Sequence, residues 1–239
     1  MIATVPSGTR VYSIGDIHGR LDLLIRLEAM IEADLARSRP ARTVAVYLGD
    51  YVDRGPDSRE VIDHLLHHPP PLDEVVHLLG NHEETMCRFL VDPWVGENWL
   101  RFGGLETLKS YGVAPDSDLS AEERLIRMQE AFNLSVPERH WAFLEGLPLR
   151  HEEGDYLFVH AGVRPRVPLD RQRRYDLLWI RHEFLDSEAD HGRVIVHGHS
   201  ISSEPEIRAN RIGIDTGAFM SGRLTALVLE GGERRFLST

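Results

Sequence analysis

The sequence predicts an α/β protein built on a parallel sheet, with a helical insertion and a further set of strands after it. Three observations lead there. Over residues 10–91, short β-branched and apolar runs alternate with segments of helical apolar periodicity, the pattern of strands joined by crossover helices. Each run ends in Gly followed by Asp or Asn, with polar residues beyond; the strand ends of a parallel sheet share the edge where ligands bind. From about 92 to 150 the pattern is helical, and short strands then return. The expectation is one domain, 1–239, carrying that insertion.

The first strand is Arg10–Ile14, running into Gly15-Asp16-Ile17-His18-Gly19. A helix follows, with Leu24, Leu27, Ile31 and Leu35 forming one apolar stripe, and Arg39-Pro40 ends it. Val44–Leu48 is the second strand and leads into Gly49-Asp50-Tyr51-Val52-Asp53-Arg54-Gly55. Alone, that loop reads equally well as a tight turn with a surface ion pair. Asp57 and Glu60 have capping-box spacing for a second helix with inner face Val61, Ile62, Leu65 and Leu66. Glu74–Leu79 is the third strand, entering Gly80-Asn81-His82-Glu83-Glu84 and a helix that carries Met86, Phe89 and Leu90.

The insertion reads as helices over Trp94–Phe102, Leu105–Tyr111, Ser120–Gln129 and Pro137–Leu147. Ser120 with Glu123 has capping-box spacing, and Pro137 suits a first turn. Trp99, Phe102, Trp141 and Phe143 read as helix-packing aromatics. Asp155–Val159 then leads to His160-Ala161-Gly162, and Val194–Val196 to His197-Gly198-His199-Ser200. Glu206–Ala209 and Arg211–Ile214 flank an Asn210 turn, and Leu224–Leu229 with Arg234–Leu237 form a hairpin across Gly231-Gly232. Strands without helices between them predict a second, mostly antiparallel sheet. The basic run Arg171–Arg174 reads as a solvated face.

The bulk composition narrows the function. A net charge of −11 disfavours a broad face for nucleic acid but leaves room for a local basic pocket. The single cysteine, Cys87, excludes an intrachain disulfide. Met1–Arg10 has no apolar signal core, and no run approaches the ~18 apolar residues of a membrane span. A cytoplasmic protein with no nucleic-acid or membrane partner is therefore expected.

Just past the strand ends lie Asp16, His18, Asp50, Asn81, His82, His160 and His199. Carboxylates, imidazoles and an amide oxygen suit borderline-to-hard cations, and no thiolate is among them. Seven such side chains exceed what one four-coordinate ion needs. Two ions sharing a bridging carboxylate, about 3.5–4 Å apart, are the natural solution; they lower the pKa of bound water and clamp an in-line displacement at phosphorus. The remaining histidines, His197 included, read as structural or merely neighbouring.

Gly-Asp-Ile-His-Gly, Gly-Asp-Tyr-Val-Asp-Arg-Gly, Gly-Asn-His-Glu, His-Ala-Gly and Gly-His, in this order, resemble the signature set of the phosphoprotein phosphatases. These are the serine/threonine phosphatases among the calcineurin-like metallophosphoesterases, here of the compact bacterial and phage kind. The resemblance implies an α/β sandwich of two mixed β-sheets flanked by helices, with a dinuclear metal site between them. It implies Asp16 and His18 on one metal, Asp50 as bridge, and Asn81, His160 and His199 on the other. It makes His82 the general acid paired with Asp53, and Arg54 the phosphate-binding arginine, with Arg181 a less secure second one. The ions implied are divalent, manganese foremost, with iron or zinc compatible.

One position departs from the family pattern: Leu79 stands where an arginine usually precedes Gly-Asn-His-Glu. Related diadenosine tetraphosphatases also carry an apolar residue there, but they usually lack the acid at Asp53. Weighting Asp53 more, the expected activity is a metal-dependent phosphomonoesterase for phosphoserine and phosphothreonine. The substrate is then a phosphorylated protein or small phosphorylated molecule. The alternative is a dinucleoside polyphosphate hydrolase, and a non-catalytic metal-binding scaffold is the remote third.

Overall fold

The computed structural model describes residues 2–239. Its first sheet contains β1 (Thr9–Ile14), β2 (Arg42–Tyr47), β3 (Glu74–His77), β9 (Thr225–Glu230) and β10 (Glu233–Ser238), in the order β10-β9-β1-β2-β3. β1, β2 and β3 are parallel, while β9 runs antiparallel to β1. The second sheet contains β4 (Arg150–Glu153), β5 (Tyr156–Val159), β6 (Val194–His197), β7 (Glu206–Ile207) and β8 (Arg211–Gly213), in the order β4-β5-β6-β8-β7. Its middle strands β5, β6 and β8 are parallel, and its edges are antiparallel.

The two sheets pack face to face, because alternate residues of each strand point to opposite faces. Val11, Val44, Val46, Leu227 and Leu229 from the first sheet meet Tyr156, Phe158, Val194, Val196 and Ile212 from the second. The intervening residues, among them Tyr12, Ile14, Ala45, Tyr47 and Val228, turn outward to a second core formed with the helices. Leu157, Val159 and Ile195 do the same on the far side of the second sheet. Strands covered on both faces read as continuous apolar runs, which is why β2 and β5 were legible as buried.

Helices α1 (Leu21–Arg37), α2 (Ser58–His67) and α3 (Asn81–Val91) connect or follow the parallel strands. The insertion holds α4 (Gly96–Trp99), α5 (Gly104–Ser110), α6 (Ala121–Ser135) and α7 (Glu138–Glu145). Short α8 (Arg174–Trp179), α9 (His182–Leu185) and α10 (Ala218–Ser221) complete the helices. Ser120 caps α6 in a full capping box with Glu123.

Several expectations need correction. The second sheet is mixed, not mostly antiparallel, and the C-terminal hairpin joins the first sheet through β1. That pairing is set by the apolar face β9 must bury, which local sequence does not reveal. β4, which the sequence pattern does not mark as a strand, pairs antiparallel with β5. Asp57 precedes α2 without a side-chain cap bond. Trp94–Phe102 is a 3-10 turn, one short α-helix and a second 3-10 turn, not a single helix. The basic run is not wholly solvated, since Arg174 pairs with Glu84 at 2.7 Å.

Candidate active site

The ends of β1, β2, β3, β5 and β6 converge at one edge of the sandwich. Asp16 and His18 follow β1, Asp50 follows β2, Asn81 and His82 open α3 just after β3, His160 follows β5, and His199 follows β6. All seven are buried. His18, Asp50, Asp53, Arg54 and His199 have φ between +48° and +72°, which non-glycine residues rarely adopt. Only one other non-glycine residue described, Arg166, does so. Strain concentrated in this way marks a functional site, where packing overrides backbone preference. Gly80 is required for close approach: a Cβ there would collide with the Asp50 carboxylate and backbone.

Two groups of side chains could hold cations. His18, Asp50 and His82 form one, Asp50, His160 and His199 the other, each with donor atoms within 4.8 Å of one another. Asp50 belongs to both, the placement expected of a bridge. His18 Nδ1 lies 2.8 Å from the Val52 carbonyl, and His160 Nδ1 lies 2.9 Å from the Leu48 carbonyl. A carbonyl only accepts, so both rings carry their proton on Nδ1 and present an Nε2 lone pair inward. His18 Nε2 is buried without a partner. His160 Nε2 faces Asn81 Oδ1 at 2.8 Å, acceptor against acceptor, and His199 Nδ1 sits 2.8 Å from the same oxygen. A cation among these atoms would relieve the repulsion.

The carboxylates make the same case. Asp16 Oδ2 accepts from the His199 backbone N–H at 3.0 Å, while Oδ1 is buried and unpartnered. Burial, together with Asp215 and Asp50, raises the Asp16 carboxyl well above its usual range. Burial likewise pushes Asp215 up to about 6. Burial lowers His18, His160 and His199, the last to about 2, with neighbouring imidazoles adding to the effect for His18 and His199. Neutral imidazoles are the form that ligates a metal, and crowded buried carboxylates that resist ionising together are the kind a cation relieves. The donor set thus fits two divalent ions.

His82 is engaged on both ring nitrogens. Nδ1 lies 2.6 Å from Asp53 Oδ2, and Nε2 lies 3.1 Å from Arg54 Nη2. The guanidinium can only donate, so Nε2 accepts and Nδ1–H faces the carboxylate. Burial opposes protonation of His82, but Asp50 and Asp53 outweigh it and raise its proton affinity. Asp53 is in turn gripped from the insertion. Trp99 Nε1–H donates to Oδ2 at 2.8 Å, and the Thr107 hydroxyl donates to Oδ1 at 2.6 Å. Trp99 is therefore more than a packing residue, although its ring also packs at a tilt against Phe89 and Phe132. Phe102, by contrast, is not packed; it is 63% exposed beside the cleft.

Glu83 was not singled out in the sequence, although it sits in the Gly-Asn-His-Glu motif. Its Oε2 accepts from the N–H groups of Gly80 and Asp50, and Oε1 from those of Tyr51 and Val52, at 2.7–3.1 Å. One buried carboxylate thus ties the start of α3 to the loop after β2. The capping position was readable; the loop contacts were not, because they join segments about thirty residues apart.

A cleft of about 630 Å³ opens beside these residues, lined among others by Arg54, Asn81, His82, Trp99 and Arg181. Arg54 lies 4.7 Å above the Phe219 ring. Arg181 Nη1 donates to the His199 carbonyl at 3.2 Å, so the less secure arginine does stand at the site. Leu79 is buried in the helix-side core, its N–H bonded to the Pro148 carbonyl at 2.9 Å, and does not line the cleft. His197 packs against Phe184 and remains a neighbour.

Comparison with known proteins gives a family and a range of relatives. The family model for calcineurin-like phosphoesterases matches residues 9–218. The chain is 28% identical over 233 residues to "Bis(5'-nucleosyl)-tetraphosphatase PrpE [asymmetrical]" of Halalkalibacterium halodurans, covering 90% of this chain and 87% of the relative. Among solved structures, a candidate diadenosine tetraphosphatase superposes with a TM-score of 0.64 at 21% identity, covering 99% and 96% of the two chains. A cold-active protein tyrosine phosphatase superposes with a TM-score of 0.58 at 18% identity, covering 99% and 82%. The structural likenesses speak to the fold.

Proposed function

The chain belongs to the calcineurin-like phosphoesterase family, and from that premise we propose that it hydrolyses dinucleoside polyphosphates of the diadenosine tetraphosphate type. The observation that carries this reading is the likeness to bis(5'-nucleosyl)-tetraphosphatases along nearly the whole chain. Leu79 supports it: with an apolar residue buried at that position, the attacked phosphate is left to Arg54 and Arg181. The substrate expected from the sequence, phosphoserine or phosphothreonine, becomes the second reading.

In this proposal Asp16 and His18 would hold one divalent ion and Asn81, His160 and His199 the other, with Asp50 serving both. The ions, when bound, stabilise charge on the phosphoryl oxygens and make water a better nucleophile. Nitrogen and oxygen donors admit manganese, iron or zinc. Arg54 and Arg181 orient the phosphoryl group; a guanidinium fork suits two phosphate oxygens at once. Arg54 rests on His82 Nε2, and turning toward phosphate frees that nitrogen. Once protonated there, His82 donates to the leaving oxygen while Asp53 holds its orientation.

The assembly of Asp53, His82, Trp99 and Thr107 favours the second reading. A nucleoside polyphosphate leaves readily, whereas a serine alkoxide needs a proton. Steady-state kinetics with manganese on diadenosine tetraphosphate and a phosphoserine peptide separate the two. A higher kcat/KM on the peptide would overturn the first. We expect a small phosphorylated substrate in the cytoplasm and neither nucleic acid nor membrane as partner; among the described residues, no helix is long and apolar enough to cross a membrane.

A further inference from the structure

We infer that Arg88 forms a second anion subsite in this cleft, taking a phosphate of a phosphoanhydride chain beyond the one attacked. The inference rests on the reading above and names the residue that would give it selectivity. Asn81, Thr85 and Arg88 are spaced four and three apart along α3, and all three line the cleft. Residues so spaced share one helix face. Arg88 stands about 10 Å along the axis from Asn81, at 1.5 Å per residue. Long side chains on a helix lean back toward its N-terminus. Arg88 borders the cleft together with Asn81 and His82, and on its other side borders the neighbouring hollow with Glu84 and Arg174.

Arg88 is also free to bind. It is exposed, and it makes no ion pair or side-chain hydrogen bond with any described residue, whereas nearby Arg174 is committed to Glu84. Arg54 and Arg181 have no carboxylate partner either; they reach His82, the Phe102 carbonyl and the His199 carbonyl. Three guanidiniums without an ion-pair partner among the described residues thus line one cleft in a chain of net charge −11. A single phosphate at the metal side chains is served by Arg54 and Arg181. Arg88, further along the helix, matches the next negative charges of a chain of phosphates, and its fork suits their oxygens.

The test measures inhibition of p-nitrophenyl phosphate hydrolysis at fixed free manganese, with orthophosphate and with inorganic tripolyphosphate as inhibitors. Wild type, Arg88→Ala and Arg88→Lys are compared. Arg88→Ala should raise the inhibition constant of tripolyphosphate by about ten-fold, the scale of one lost charge-assisted contact. That of orthophosphate should change by less than about three-fold, since it needs no second anion contact. Arg88→Lys should fall between, because it keeps the charge and loses the fork. Equal shifts for both inhibitors, or no shift for either, would overturn the subsite. Wild-type turnover of diadenosine tetraphosphate is measured separately. If the dinucleotide is not cleaved but the inhibitor split persists, the proposed substrate fails and the subsite stands.

Discussion

The indole N–H of Trp99 donates to Asp53 Oδ2 at 2.8 Å, so the helical insertion reaches the carboxylate that holds His82. Orientation of the proposed acid therefore depends on a segment that supplies no metal-ligand candidate. Trp99→Phe keeps the ring and deletes the donor. It should lower kcat on an alkyl phosphate by about ten-fold, the worth of a hydrogen bond to a charged group, with KM little changed. Equal losses on alkyl and aryl phosphates would show that Trp99 serves only packing.

His82→Asn should lower kcat on alkyl phosphates by roughly 10²–10⁴, the usual contribution of a positioned acid. The loss on p-nitrophenyl phosphate should be much smaller, since that leaving group needs no proton. Rates on a series of leaving groups with graded pKa check this; a loss that is uniform across the series removes His82 from proton transfer.

Arg54→Ala should raise KM and lower kcat together, because the guanidinium faces both the cleft and His82. A drop in kcat/KM of about 10–100-fold is expected for a lost charge-assisted contact. With Leu79 buried elsewhere, no arginine at that position can take over. An unchanged kcat/KM would place Arg54 outside the site.

Glu83→Gln turns one acceptor oxygen into an amide donor facing buried N–H groups of the Asp50 loop and Gly80. Leaving buried donors unpaired costs about 3 kcal/mol here, which in a domain of this size lowers Tm by roughly 6–12 °C. Thermal melting of the variant measures it, and an unchanged Tm would mean the loop does not depend on this carboxylate.

Stripping divalent ions with a chelator should abolish phosphoester hydrolysis and lower Tm, since ligands that bind only the folded chain stabilise it. Re-addition of manganese, iron or zinc one at a time, with activity and melting both followed, identifies the ions that restore the centre. Full activity in rigorously metal-free protein would contradict the proposed roles of Asp16, His18, Asp50, Asn81, His160 and His199.

The candidate site was legible largely because each of its motifs directly follows an apolar run, so strand ends and polar chemistry are adjacent in the sequence. Asp16, Asp50 and Asn81 can be grouped from the sequence for that reason, and His160 and His199 by the same logic. What the sequence hid is long-range. Trp99 and Thr107 meet Asp53 across 46 and 54 residues, and nothing local marks an aromatic as a donor to a distant carboxylate. The placement of β9 beside β1 was hidden likewise, since partner choice depends on which face must be covered. Leu79 was visible as a departure, yet only its burial shows that it leaves the cleft entirely.

The candidate metal ligands are divided between the two sheets: Asp16, Asp50 and Asn81 follow strands of one, His160 and His199 strands of the other. Ions held there act as a clasp across the leaves of the sandwich. With both ions bound the leaves could part only after the clasp opened, so metal occupancy would slow unfolding as well as support the reaction. Survival time under protease or heat then becomes a gauge of metal supply, and a metal-starved cell would lose the protein as well as its activity.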